Sequence, residues 1–461
     1  MTVFKKSNSA DAVLKEDRIP SKTVYVEGGS PLMGSITVSG SKNSALKCII
    51  ASLFSNEDVV LSNVPRLGLI EEQLETIRSI GGIAEWTGAN RLVINGSQIS
   101  THEVPLQYGS KNKTTILLAG VLLYKFGKAI IPKFKDTDGK GISINRYIYT
   151  WENLGIKVFE NDDSLVLEAV NLQPSNIVFK TTTHMGTDNA IMSSIFIEGE
   201  TTIHNASEEI EINDLTELLN IMGASVERID PRTISVKGTN IFKPARFNIQ
   251  PDKNESALFS AAAVLTNGNI LVRGLKKEPL IPLVNFLNKI NARFEFNGDE
   301  LKVWRHENVL NPTTVVISPT PGFVSAWQPF ATLMLTQAEG ESLIHDTVYI
   351  NKFSYVSDLN MMSAHIDLVC PSSVGLIPVI SDDSYNFETL GEPKTVAKIV
   401  GSTVLKSARL ILGNHESDVV LLLAALCAEG KSEIIGVENI EYHYEDLLGR
   451  LKSLGAKIWE Q

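Results

Sequence analysis

The sequence predicts an α/β fold assembled from six copies of one βαβαββ-like unit, and three observations carry that prediction. First, a helix-like run ending in a small residue and leading into a short alternating strand recurs as SIGGIAEW, NLGIKVFE, IMGASVER, KINARFEF, MMSAHIDL and SLGAKIWE. Its small residues, Gly81, Gly155, Gly223, Asn291, Ser363 and Gly455, lie 74, 68, 68, 72 and 92 residues apart. Second, a turn residue precedes each of them by 25, 28, 24, 23, 23 and 25 positions, at Asn56, Gly127, Gly199, Gly268, Gly340 and Gly430. Third, runs such as TTILLAGVLLYKF and SALFSAAAVL are apolar nearly all round, which predicts helices buried on more than one side.

Each unit reads as apolar helix, turn, strand, short loop, second helix, small residue, strand, with further strand pairing before the next copy. Glycine or asparagine in the turn supplies a left-handed backbone, and the small residue closes the second helix. A period of this length also fits a solenoid, but a solenoid helix keeps one solvated face. The all-round apolar helices therefore favour a globular arrangement of the units.

The chain's 461 residues are enough for two or three domains. An apolar fraction of 43% and a charged fraction of 21% exclude disorder, collagen or coiled coil for the bulk of it. Residues 1–22 are polar and mixed in charge and predict a flexible extension. No window approaches the apolar length of a membrane span. Cys48, Cys370 and Cys427 sit in apolar settings at irregular spacing, which predicts buried thiols in a reducing, cytoplasmic compartment. A net charge of −11 argues against a general nucleic-acid or anionic-membrane surface and does not forbid a local anion pocket for a small-molecule ligand. Neither metal-ligand spacing nor a dinucleotide or P-loop fingerprint is present, so no cofactor and no metal are expected.

Within VSGSKNSALK, Lys42 is either a solvated charge at a helix start or a cation held against a bound anion. The motifs GSITVSGSKNSAL, LSNVPRL, PDKNESALFSAAAVL, DTVYINKFSYVSDL and YEDLLGRLKSLGAKI bear on that choice. Through them the chain, from about Val24 to Gln461, resembles the enolpyruvyl transferase (EPSP synthase) superfamily, and within it the UDP-N-acetylglucosamine enolpyruvyl transferases. The resemblance implies two inside-out α/β domains of three units each, with the ligand cleft between them. A double crossover near Ser41 and Pro251 would divide the chain into a 42–251 domain and a second domain combining 23–41 with 252–461. It also implies transfer of a carboxyvinyl group from phosphoenolpyruvate to a hydroxyl of a nucleotide-like substrate.

Carried over residue by residue, the resemblance makes Lys42 the anion clamp and Asn43 a contact to the sugar nucleotide. Lys135 stands near the position of the family's loop cysteine, and the loop arginine falls at Lys140 or Ile142. Lys113 replaces a helix-start arginine. It keeps the charge but not the bidentate fork. Gln328 matches a substrate-side glutamine, whereas Ala326 stands where the family has its aspartate base. Three further arginine positions are occupied by Lys352, Glu416 and Tyr442. Glu255, at the crossover, is the surviving carboxylate expected to act as base, or else a member of a crossover ion-pair cluster. His184, with Asp188 and Asn189, is expected in a loop that touches the nucleotide diphosphate, or at the surface. Three readings follow: carboxyvinyl transfer, the same fold running a phosphoenolpyruvate-independent reaction, and a non-catalytic ligand-binding protein.

Overall fold

Short β-branched runs, each too brief to stand alone, pair into six small sheets linked by helices. The computed structural model describes residues 22–134, 143–305, 309–381, 385–413 and 415–460; Lys135, Lys140 and nearly all of the 1–22 extension lie outside them. Among the described residues, five sheets have four strands and one has three. The third copy shows the plan. Asn176–Thr183 runs parallel to Glu200–Ala206, with the His184–Ser194 helix between them in sequence. Thr233–Lys237 then pairs antiparallel with Glu200–Ala206, and Ser225–Asp230 pairs antiparallel with Thr233–Lys237. In the three-stranded sheet, an isolated parallel bridge of Glu103 to Ile130 occupies the place of the fourth strand.

All six helix-closing residues adopt the left-handed backbone the repeat predicts, with φ from 62° at Asn291 to 105° at Gly223. Four of the six turn residues do so as well: Gly127, Gly199, Gly340 and Gly430. Gly268 does not, and Asn267 takes that conformation one position earlier. Glycine is still required at 268, because a Cβ there would lie 2.2 Å from the Leu32 carbonyl oxygen. Asn56 also stays out of the left-handed region and instead accepts a hydrogen bond from Lys125 Nζ (2.9 Å).

The apolar helices of the six units are Lys42–Ser52, Leu118–Phe126, His184–Ser194, Lys253–Leu265, Gln328–Leu335 and Val419–Cys427. Every residue of Lys253–Leu265 is buried, polar ones included, so this helix is sealed on all sides, whereas Leu118–Phe126 is buried from Leu118 to Leu123 and reaches solvent at Phe126. The six helices organise two hydrophobic cores. One draws on Ala45 through Ile249; the other combines Val24, Val26, Leu32 and Val38 with residues from Ala257 to Ile458.

The chain passes between the cores twice, and the two passages run side by side. Gly40 bridges Pro251 in antiparallel fashion, Ser41 N–H donates to Gln250 O (2.7 Å), and Asp252 N–H donates to Ser39 O (2.8 Å). The strand before each passage stays with its own core. Met33–Thr37 pairs with Asn269–Arg273 in the second core, and Ala245–Asn248 pairs with Val59–Ser62 in the first.

Of the three thiols, only Cys48 is fully buried; Cys370 and Cys427 are half-buried, because each lies at the end of an element rather than within a packed helix. Among the described residues no helix is long and apolar enough to cross a membrane.

Candidate functional site

Helix starts supply the charged groups at the junction of the two cores. Ser41 caps the Lys42–Ser52 helix by accepting from Ser44 N–H, and Asp252 caps Lys253–Leu265 by accepting from Asn254 N–H (2.7 Å). Because the two passages are antiparallel neighbours, these helix starts meet, and Lys42 N–H lies 3.4 Å from Asp252 Oδ2.

Lys42 Nζ is almost inaccessible to solvent and lies 2.6 Å from Glu416 Oε1, which comes from the other core. It also sits 5.8 Å from the centre of the buried Tyr444 ring, a cation–π arrangement. Glu416 keeps 43% of its side chain exposed. Burial pushes its carboxyl up, but Lys42, His443 and Lys113 together outweigh that and hold it at about 2. Lys113 is solvent-exposed within the electrostatic reach of Glu416 and Lys42. Burial depresses its ammonium, with Glu416 pulling the other way and Lys42 adding to the depression. Asp252 is pushed up to about 7, first by burial and then by Glu255, against the pull of its cap bond and Lys42. Asn43, half-buried beside them, makes no side-chain hydrogen bond among the described residues.

A second cluster lies further along the Lys42–Ser52 helix, where it meets His184–Ser194 of the same core. Lys47 Nζ is 2.7 Å from His184 Nε2 and 2.7 Å from Asp188 Oδ2. Burial raises Asp188 to about 6 against the pull of Lys47. Burial and then Lys47, Lys253 and Lys113 hold the His184 imidazole well below its ordinary value. Lys253 pairs with Glu209 and Glu211, and burial of this ammonium is outweighed by the two carboxylates. Lys113 links the clusters, since its charge acts on both Glu416 and His184.

Several expected site residues are engaged elsewhere. Glu255 is not an open base: Arg450 clasps it through two bonds of 2.7 and 2.8 Å, and Ser39 N–H donates to it at 2.7 Å. The crossover ion pair is thus the arrangement observed. Gln328 is fully buried rather than turned to a ligand, with its amide nitrogen donating to Asp346 and its oxygen accepting from Tyr355. Tyr442 donates its hydroxyl to Glu72 of the other core, which makes it a tie across the junction. Lys352 is exposed over the Tyr349 ring at 4.8 Å, and its charge acts on Asp346 rather than on the Lys42 group. Lys133 pairs with Glu160 (3.0 Å). Ala326 is exposed.

Sequence reasoning missed Arg450 and Lys47. Arg450 lies 195 residues from Glu255, and Lys47 lies 141 from Asp188. A lysine inside an otherwise apolar helix, as in SALKCII, is the one local signal that pointed to Lys47.

Six sheets around two helical cores, joined by paired passages with the charged groups at the junction, define an inside-out α/β fold with an interfacial site. The chain belongs to the EPSP synthase (3-phosphoshikimate 1-carboxyvinyltransferase) family, whose model matches residues 26–370. A UDP-N-acetylglucosamine 1-carboxyvinyltransferase of Chlamydia muridarum is 32% identical over 440 residues, covering 94% of this chain and 98% of that protein. One from Pelagibacter ubique is 29% identical, covering 95% and 99%. In fold, the chain is similar to the enolpyruvyl transferase NikO of Streptomyces tendae, with a TM-score of 0.83 at 20% identity, covering 96% of this chain and 99% of that one. An EPSP synthase of Acinetobacter baumannii has a TM-score of 0.70 at 13% identity, covering 96% and 100%.

Proposed function

We propose that this protein transfers a carboxyvinyl group from phosphoenolpyruvate, or a related anion, to a hydroxyl of a nucleotide-like substrate. The reaction would take place in a cleft between a 42–251 domain and a domain of 23–41 with 252–461. The single observation that carries the proposal is the environment of Glu416. A carboxylate lies 2.6 Å from Lys42, within the field of Lys113, on a family fold. The protein's own carboxylate supports reading this spot as one suited to a ligand anion.

In this reaction the acceptor oxygen bonds to C2 of phosphoenolpyruvate as the methylene carbon takes a proton. Loss of a proton from the resulting methyl group then expels inorganic phosphate and restores the double bond. Lys42 and Lys113 would hold the anion, and Asn43 would contact the acceptor. Lys135 and Lys140 would add charge from their loop. Ala326 offers no base. Asp252, raised to about 7 beside Lys42, has the proton affinity that such a transfer needs near neutral pH. Glu255, clasped by Arg450, positions the crossover.

Glu416 also favours a second reading. A phosphoenolpyruvate anion at Lys42 must displace it, so the same fold with a cleft of altered polarity, running a different reaction or only binding a ligand, fits this contact too. The deciding experiment incubates the protein with phosphoenolpyruvate and a panel of UDP-sugars, nucleotides and shikimate phosphate. Phosphate release above a Lys42→Ala control supports transfer. Absence of both release and a thermal shift with phosphoenolpyruvate rejects it.

A further inference from the structure

Lys47 and Asp188 are charged, lie inside the protein with side chains 4% and 2% exposed, and have no part in the carboxyvinyl transfer outlined above. A buried ion pair adds little net stability over well-packed apolar residues, so its presence calls for another account. Its third member provides one. An ammonium has three N–H donors and no lone pair, so where Lys47 Nζ meets His184 Nε2 at 2.7 Å the nitrogen of the ring must accept. The imidazole then carries its single proton on Nδ1, and a second proton would drive an N–H against the ammonium.

The pair is fixed from both sides. Asp188 takes Lys47 at 2.7 and 2.8 Å through its two carboxylate oxygens, which leaves the ammonium aimed at the ring. Asp188 and His184 are one turn apart on the same helix, with Nε2 and Oδ2 separated by 3.9 Å. His184 keeps 31% of its side chain exposed, and its Nδ1 makes no hydrogen bond among the described residues. The charged groups that face it are Lys47 from the Lys42–Ser52 helix, Asp188 from its own, Lys113 from the 113–117 turn and Lys253 from the crossover helix. Lys253 is itself matched by Glu209 and Glu211.

We infer that Lys47, held by Asp188, is a positioning residue that locks His184 as a neutral imidazole and presents its Nδ1–H as a donor to an acceptor oxygen of the bound ligand. His184 is thereby excluded as a base, and the site gains a directional donor within the field of Lys113. This inference rests on the proposed nucleotide-like ligand for the kind of oxygen met, but not on carboxyvinyl transfer.

The test is nitrogen-15 NMR of histidine-labelled full-length protein, with the His184 signals assigned by their loss in His184→Asn. The expected result is the Nδ1–H tautomer, unchanged between pH 5.5 and 8.5. In the K47M/D188N double variant, which keeps the interior uncharged, His184 should become a tautomer mixture that titrates in this range, whereas Lys47→Arg should preserve the wild-type pattern. An Nε2–H tautomer or an imidazolium in the wild type overturns the inference, and so does a double variant that leaves the pattern unchanged. Inorganic phosphate, UMP and UDP-N-acetylglucosamine are then titrated in. A shift of the Nδ1 resonance with at least one of them is expected, together with at least tenfold weaker binding in His184→Phe and less than threefold in His184→Asn, whose amide N–H can replace Nδ1–H. If none of the three moves the signal, the donor role is rejected. Because no probe contains phosphoenolpyruvate, a failure of carboxyvinyl transfer leaves these readouts intact.

Discussion

Replacing Glu416 by glutamine should tighten the binding of phosphoenolpyruvate, or of inorganic phosphate, at Lys42. The wild-type carboxylate stays ionised down to about pH 2 and lies 2.6 Å from the only ammonium buried at that spot among the described residues. An incoming anion within about 4 Å of it meets a repulsion of about 1 kcal/mol at the dielectric of water and about 4 kcal/mol at an effective dielectric of 20. Because 43% of the Glu416 side chain is exposed, the lower part of that range applies, so roughly tenfold tighter binding is expected for E416Q. Isothermal titration calorimetry at low and high salt measures it, and the gain should shrink as salt rises. Glutamine keeps a hydrogen-bond acceptor for Lys42, but the nearly inaccessible ammonium loses its charge partner, so the change should cost about 1–3 kcal/mol of stability. Equal or weaker anion binding in E416Q, in a variant that still unfolds cooperatively, would refute the view that Glu416 occupies an anion position.

Further outcomes follow from the same contacts. Arg450→Met strands the buried Glu255 carboxylate and should cost about 3–5 kcal/mol in urea unfolding, with much of it recovered in R450M/E255Q. Asp252 has a folded value raised to about 7, so the folded state holds more protons than the unfolded one between about pH 4 and 7, and stability falls as pH rises through that window. Asp252→Asn, which can still cap the helix, should therefore melt above the wild type at pH 8, by on the order of 3 kcal/mol, and the gap should close below about pH 4. A flat difference across that range would contradict the assignment. Gly268→Ala should lower the melting temperature sharply, because the new methyl carbon meets the Leu32 carbonyl at 2.2 Å; a variant as stable as the wild type would mean that this turn is free to shift.

Features set by local chemistry could be read from the sequence. The closing residues Gly81 to Gly455 mark helix ends because only small or amide side chains tolerate that backbone, and all six conform. The all-round apolar helices were legible for the same reason, since periodicity reports burial directly. The site was only partly legible. Lys42, Asn43 and Lys113 could be placed at helix starts. Glu416 on Lys42, Arg450 on Glu255 and Lys47 on His184 could not, because their partners are 374, 195 and 137 residues away and no local pattern encodes such pairings. Gln328 misled for a related reason: an amide looks the same in sequence whether it turns to a ligand or, as here, bridges Asp346 and Tyr355 in the interior.

The place of the N-terminal strand in the second core also bears on how the chain is made. Thr23–Glu27 lies between Lys431–Ile435 and Lys457–Glu460, and Val24 is partnered with Glu460. Thr23–Glu27 therefore waits for a strand synthesised more than 400 residues later. At about 5–20 residues per second that delay is about 20 to 90 s. During it the 42–251 segment can close on itself, while Thr23–Glu27, with its apolar Val24 and Val26, stands with both edges unpaired and open to other chains. Successful production of this protein then depends on what shields that strand during synthesis, and slower translation or loss of a chaperone should reduce soluble yield more than it would for a protein whose strands pair in the order they emerge.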